Sequence, residues 1–113
     1  MTASAPLNSQ PFWIDRQQDL DTWVNHAEVA PWLGVDTEFE RVRTFFPRFC
    51  LLQMSTPEKA VCIDPLAELD WDGVRNLLTQ TRPAKIFHAA RQDLEVLHNS
   101  LSVMPANVFD TQI

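Results

Sequence analysis

The sequence predicts an α/β fold, a mixed sheet flanked by helices. Apolar residues at helical spacing alternate along the chain with short runs of strand character, and two of those runs are separated only by the turn-like segment STPEKA. With 113 residues and 8 scattered Pro, the chain has the size of one core and the look of a folded segment rather than a low-complexity tract.

The elements follow in order. Residues 1 to 11 read as a loose leader rich in Ser, Asn, Gln and Pro. An extended piece spans Phe12 to Ile14, and a helix runs from about Asp19 with Leu20, Trp23, Val24 and Ala27 on one face, stopping before Pro31. Trp32 to Phe39, Phe49 to Met54 and Ala60 to Ile63 read as strands, the last two joined by the STPEKA turn as an antiparallel hairpin. Asp70 is placed to cap a helix carrying Trp71, Val74, Leu77 and Leu78. AKIFHA, residues 84 to 89, is a further strand, and a helix from about Arg91 to Leu101 shows Leu94, Leu97 and Leu101 as its stripe. VFDTQI opens another element. The four Trp, at 13, 23, 32 and 71, fall on apolar faces and are expected in the core.

Composition narrows the function classes. Nine Lys and Arg against fifteen Asp and Glu give a net charge of −6, which argues against phosphate binding by a basic surface. A small-molecule enzyme or an interaction domain is the reading from charge alone; acids that hold divalent cations are the exception, because bound metal reverses the local sign. No apolar run approaches the ~18 residues that cross a bilayer, and no secretory signal is visible, so a soluble cytoplasmic protein is expected. Cys50 and Cys62 lie in apolar runs and read as reduced core thiols, although neighbouring strands could bring them together in an oxidising compartment.

Within VDTEFERVRTFFP, Asp36 and Glu38 are two apart and project from one face of a strand. Two such carboxylates repel unless a divalent cation joins them or both face water from an edge strand. The stretch FHAARQDLEVL puts Asp93 in the first turn of a helix, where the dipole favours a carboxylate whatever its function. If AKIFHA lies beside WLGVDTEF, that turn approaches the first pair and three acids converge.

The ordered segments GVDTEFERVRTFFPRFCLLQMST, CIDPL, IFHAARQDLEVL and FDTQI resemble the ribonuclease D group of the DEDD 3′-to-5′ exonucleases, over roughly residues 12 to 113. The resemblance implies a ribonuclease H-like fold, C-terminally incomplete here, with Asp36 and Glu38 in the first exonuclease motif and Asp93 in the second. The Tyr and Asp of the third motif find no match, and neither does the helical nucleic-acid-binding domain that usually follows. By the same resemblance, two Mg²⁺ or Mn²⁺ ions held by Asp36, Glu38 and Asp93 would hydrolyse RNA 3′ ends, such as those of tRNA precursors, to nucleoside monophosphates. Without the third motif the chain is expected to be impaired, and the alternative is a truncated module that binds metal, RNA or a protein without cleaving.

Thr37, Phe39, His88 and Gln92 flank these acids and are candidates for substrate contact, His88 also reading as a structural histidine bonded to backbone. Arg41, Arg43 and Arg48 could hold phosphates or be solvated, and Phe45 and Phe46 could stack on a base or pack under the loop. Asp64 before Pro65 reads as a turn former and Asp110 as capping or support for the site. An exposed sheet edge could drive self-association.

Overall fold

A computed structural model of the chain describes residues 11–41 and 47–112, with the side chains of residues 39–50 outside the description. The leader up to residue 10, Arg43, Phe45 and Phe46, and the side chains of Arg41, Arg48 and Cys50, fall outside it. The element order is β1 (Phe12–Ile14), α1 (Gln17–Ala27), β2 (Trp32–Arg41), β3 (Pro47–Ser55), β4 (Ala60–Ile63), α2 (Asp72–Thr79), β5 (Ala84–Phe87), α3 (Ala90–Leu101) and β6 (Val108–Asp110). The strands form one mixed sheet in the order β1-β4-β3-β2-β5-β6. β2, β3 and β4 make the antiparallel meander, while β1 joins β4, and β5 joins both β2 and β6, in parallel.

Register explains which face is buried. Thr37 lies opposite Leu52, Leu52 opposite Ile63 and Ile63 opposite Ile14; one step along, Val35, Met54 and Val61 align. All of these are buried, as are Leu20, Trp23 and Ala27 of α1, Val74, Leu77 and Leu78 of α2, and Val96, Leu97 and Leu101 of α3. Period 2 in the strands and the helical period in the helices therefore meet in one core. The alternate row, Trp13, Cys62, Gln53 and Asp36, projects from the opposite face.

Several expectations are sharpened. Trp13 is 50% exposed, because a three-residue edge strand with β4 as its described neighbour cannot cover an indole; Trp23 is buried, and Trp32 and Trp71 are partly so. α2 starts at Asp72, with Trp71 at the cap position, yet Asp70 Oδ1 still accepts the Asp72 N–H at 2.9 Å. In the STPEKA turn, Thr56 Oγ1 accepts the N–H groups of Glu58 and Lys59 at 3.3 and 3.2 Å. Asp64 Oδ1 accepts the Leu66 N–H at 2.9 Å, the turn expected before Pro65. Leu94 is partly buried, and the inner face of α3 is made by Ala90, Asp93, Val96, Leu97 and Leu101. β5 ends at Phe87 rather than Ala89: Ala89 takes φ 58° and ψ 62°, a left-handed conformation no strand continues through. Cys62 is buried and free, its thiol pushed up by burial and drawn back by a Gln53 hydrogen bond.

Candidate active site

β5 accompanies β2 only from Trp32 to Gly34; beyond that point β5 turns into α3 and, among the described residues, leaves one flank of β2 without a strand partner. A backbone N–H left there would need another acceptor. Asp93, in the first turn of α3, provides it: Oδ1 accepts the Thr37 N–H at 3.0 Å and the Thr37 hydroxyl at 2.5 Å. A β-bulge between Glu38 and Phe39 follows at once, so the site sits where regular pairing gives way.

Asp93 is 5% exposed. Burial pushes its carboxyl above the ordinary carboxylate range; the two Thr37 bonds pull it back, and the charges of Asp36 and Asp110 push it up again. Asp110 has the opposite balance. Its carboxylate accepts the N–H groups of Ala89, Ala90 and Gln112 at 2.8, 2.8 and 2.9 Å, led in effect by the Ala90 bond, and these hold it below the ordinary range. This is the capping role expected of Asp110: it closes the start of α3 and holds Ala89 in its left-handed turn.

The fold brings Asp36 and Asp93 within electrostatic reach of each other. Asp36 and Glu38 are exposed, and their places in β2 put them on one strand face. Among the described residues, no group of three or more His, Cys, Asp or Glu is arranged to hold a metal ion, so Asp36, Glu38 and Asp93 are not gathered into one such group. The donor chemistry nevertheless fits a hard divalent cation. The side chains are oxygen donors, both described Thr37 bonds go to Oδ1 of Asp93 and not to Oδ2, and a cation would offset the burial, and the lesser repulsion from Asp36, that lift the Asp93 carboxyl.

Of the candidates for substrate contact, Thr37 is buried and acts as the partner of Asp93, while Gln92 is exposed on the first turn of α3. The Phe39 side chain lies outside the described residues. His88 is exposed, and its Nδ1 lies 2.9 Å from Thr111 Oγ1, a side-chain partner where a backbone one was expected. Sequence reasoning passed over Thr111; a Thr just past a strand end carries no local signal. A cleft of about 550 Å³ opens here, lined in part by Gly34, Asp36, Gln53, His88 and Thr111.

Comparison with known proteins bears on the family and the fold. The model of a 3′-5′ exonuclease family matches residues 11–113. Ribonuclease D of Nitrobacter hamburgensis is 43% identical over 84 residues, 74% of this chain and 22% of the relative. The crystal structure of Escherichia coli RNase D, described as an exoribonuclease involved in structured RNA processing, superposes with a TM-score of 0.86 at 31% identity, over 91% of this chain and 28% of that one. Trypanosoma brucei RNase D, solved in complex with RNA U12, has the same fold at a TM-score of 0.86 and 23% identity, over 98% of this chain and 40% of that one. The chain spans about a quarter of the length of the curated relatives it matches.

Proposed function

We propose, since the chain belongs to the 3′-5′ exonuclease family and its relatives are named ribonuclease D, that its protein trims RNA from the 3′ end and releases nucleoside monophosphates. The observation that carries this reading is the buried Asp93 carboxylate, fastened to Thr37 and standing within the field of Asp36. Asp36, Glu38 and Asp93 are the ligands of two divalent cations, Mg²⁺ or Mn²⁺, in this reading. Such ions, when bound, supply Lewis-acid polarisation of the scissile phosphate and a water acidified for attack. They also explain how a chain of net charge −6 accepts a polyanion.

The residues themselves do the holding. Thr37 fixes one oxygen of Asp93, Asp110 fixes the start of the helix that carries it, and Asp36 faces the cleft where the terminal nucleotide lies. Precursors of tRNA and a cytoplasmic setting are the finer expectations within this reading, and contact through the sheet edges at β1 and β6 is the route by which the protein would self-associate. No helix among the described residues is long and apolar enough to cross a membrane.

One observation favours the alternative, a module that binds without cleaving: the three acids are not gathered into one group among the described residues. A single assay separates the two. With 5′-labelled single-stranded RNA and Mn²⁺, stepwise shortening from the 3′ end that disappears in Asp36→Ala and Asp93→Ala is the expected result. Retained RNA binding with no shortening, in folded protein, would replace the exonuclease by the binding module.

A further inference from the structure

Thr111 has one hydroxyl proton and two neighbours that could take it. Its Oγ1 donates to the Phe87 carbonyl at 3.2 Å and stands 2.9 Å from His88 Nδ1. With the proton directed to Phe87, the hydroxyl can only accept from the imidazole. Nδ1 then carries a ring proton, and the neutral tautomer so defined leaves Nε2 as the acceptor.

The clamp that imposes this is well anchored. The Thr111 N–H donates to the same Phe87 carbonyl at 2.8 Å, and the adjacent Asp110 holds the N–H groups of Ala89 and Ala90. His88 is thus held at its ring by Thr111, while Asp110 secures the backbone just after it. The last β2–β5 pair is Gly34 with Ile86, so Asp36 and His88 each lie two residues beyond it, at the end of the sheet where the cleft opens. Both line the cleft, together with Gln53.

We propose that His88 Nε2 accepts a hydrogen bond from a ribose hydroxyl of the nucleotide in this cleft, and that Thr111 is the positioning residue that sets the tautomer. The inference rests on the exonuclease reading. A ring nitrogen lone pair in a cleft that Asp36 also lines takes a hydrogen-bond donor, not a phosphate oxygen. Ribose hydroxyls recur on every ribonucleotide, whereas base donors vary with sequence, so one neutral acceptor reads the sugar and leaves the base free.

Two measurements test it on this chain with Mn²⁺. Nitrogen-15 NMR of the imidazole should show a protonated Nδ1 and an unprotonated Nε2 for His88, a state lost in Thr111→Val and kept in Thr111→Ser. Calorimetric binding of GMP, 2′-deoxyGMP and 3′-deoxyGMP should show one deoxy analogue about fivefold weaker, the loss of one hydrogen bond. His88→Ala should weaken GMP by the same factor without weakening that analogue further, and the analogue affected identifies the hydroxyl. A proton on Nε2, or an equal loss for all three nucleotides in His88→Ala, overturns the proposal. GMP binding that is lost in Asp36→Asn but indifferent to His88→Ala overturns it alone; no binding of any of the three removes it together with the exonuclease reading.

Discussion

Replacing Thr37 by Val tests the bond on which the site geometry depends. Val keeps the β-branched shape that suits a strand and removes only the hydroxyl that donates to Asp93 Oδ1 at 2.5 Å, leaving the backbone N–H at 3.0 Å. A hydrogen bond to a charged acceptor contributes ~1.5–3 kcal/mol, and with the second donor still present the loss should be about 2 kcal/mol. In a domain of this size ~1 kcal/mol moves the melting temperature by about 4 °C, so a fall of about 8 °C is expected. The pH dependence should change as well. The Asp93 carboxyl lies above its unfolded value, so the folded state binds the extra proton, and stability falls as pH rises from the ordinary carboxylate range through the raised one. Thr37 pulls that carboxyl down, so Thr37→Val should push the upper end of the window higher. Thermal and urea unfolding followed by circular dichroism at several pH values, with Thr37→Ser as the control that keeps the hydroxyl, reads both effects. Equal midpoints for Val and wild type, or for Val and Ser, would refute the reasoning.

Asp93→Asn keeps an oxygen for Thr37 and removes the charge that burial and Asp36 disfavour, so urea midpoints at neutral pH should rise while 3′-end shortening is lost. Asp110→Ala frees the N–H groups of Ala89 and Ala90, and faster amide hydrogen exchange at the start of α3 should report it. Because the Asp110 carboxyl is held below its unfolded value, its stabilisation is present above the ordinary carboxylate range and lost as pH falls through the depressed value, the reverse of Asp93. Lys85 is fully buried on the helix-facing side, its Nζ donating to the Gln80 carbonyl, and burial lowers its pKa. Stability should therefore rise with pH from the depressed value up to the ordinary lysine range, and Lys85→Met should abolish that rise in urea midpoints.

The alternation in WLGVDTEF was legible because one face is buried and the other is not: Leu33, Val35 and Thr37 face the helices, and Asp36 and Glu38 do not. The helical stripes were legible for the same reason, whereas for Asp110 the choice between capping and support of the site stayed open until its partners were seen. The start of α3 was not, since the left-handed Ala89 is held by a carboxylate 21 residues further on. Nor was the role of Thr37, whose partner lies 56 residues away. Strand pattern places a side chain on a face, but it carries no information about which neighbour will use a spare donor. Trp13 shows a different limit: hydrophobicity says a residue is better inside, and only the sheet order reveals an edge strand with too few neighbours to enclose it.

The outer half of β2 is a cantilever. β3 flanks it along its length, β5 lets go after Gly34, and Asp93 pins it from the open side. Since the pin engages Thr37, the residue next to Asp36, any flexing of the strand carries both carboxylates together. Their separation is governed by one peptide unit and a pair of hydrogen bonds, so a displacement of the strand would shift both and leave their spacing nearly unchanged.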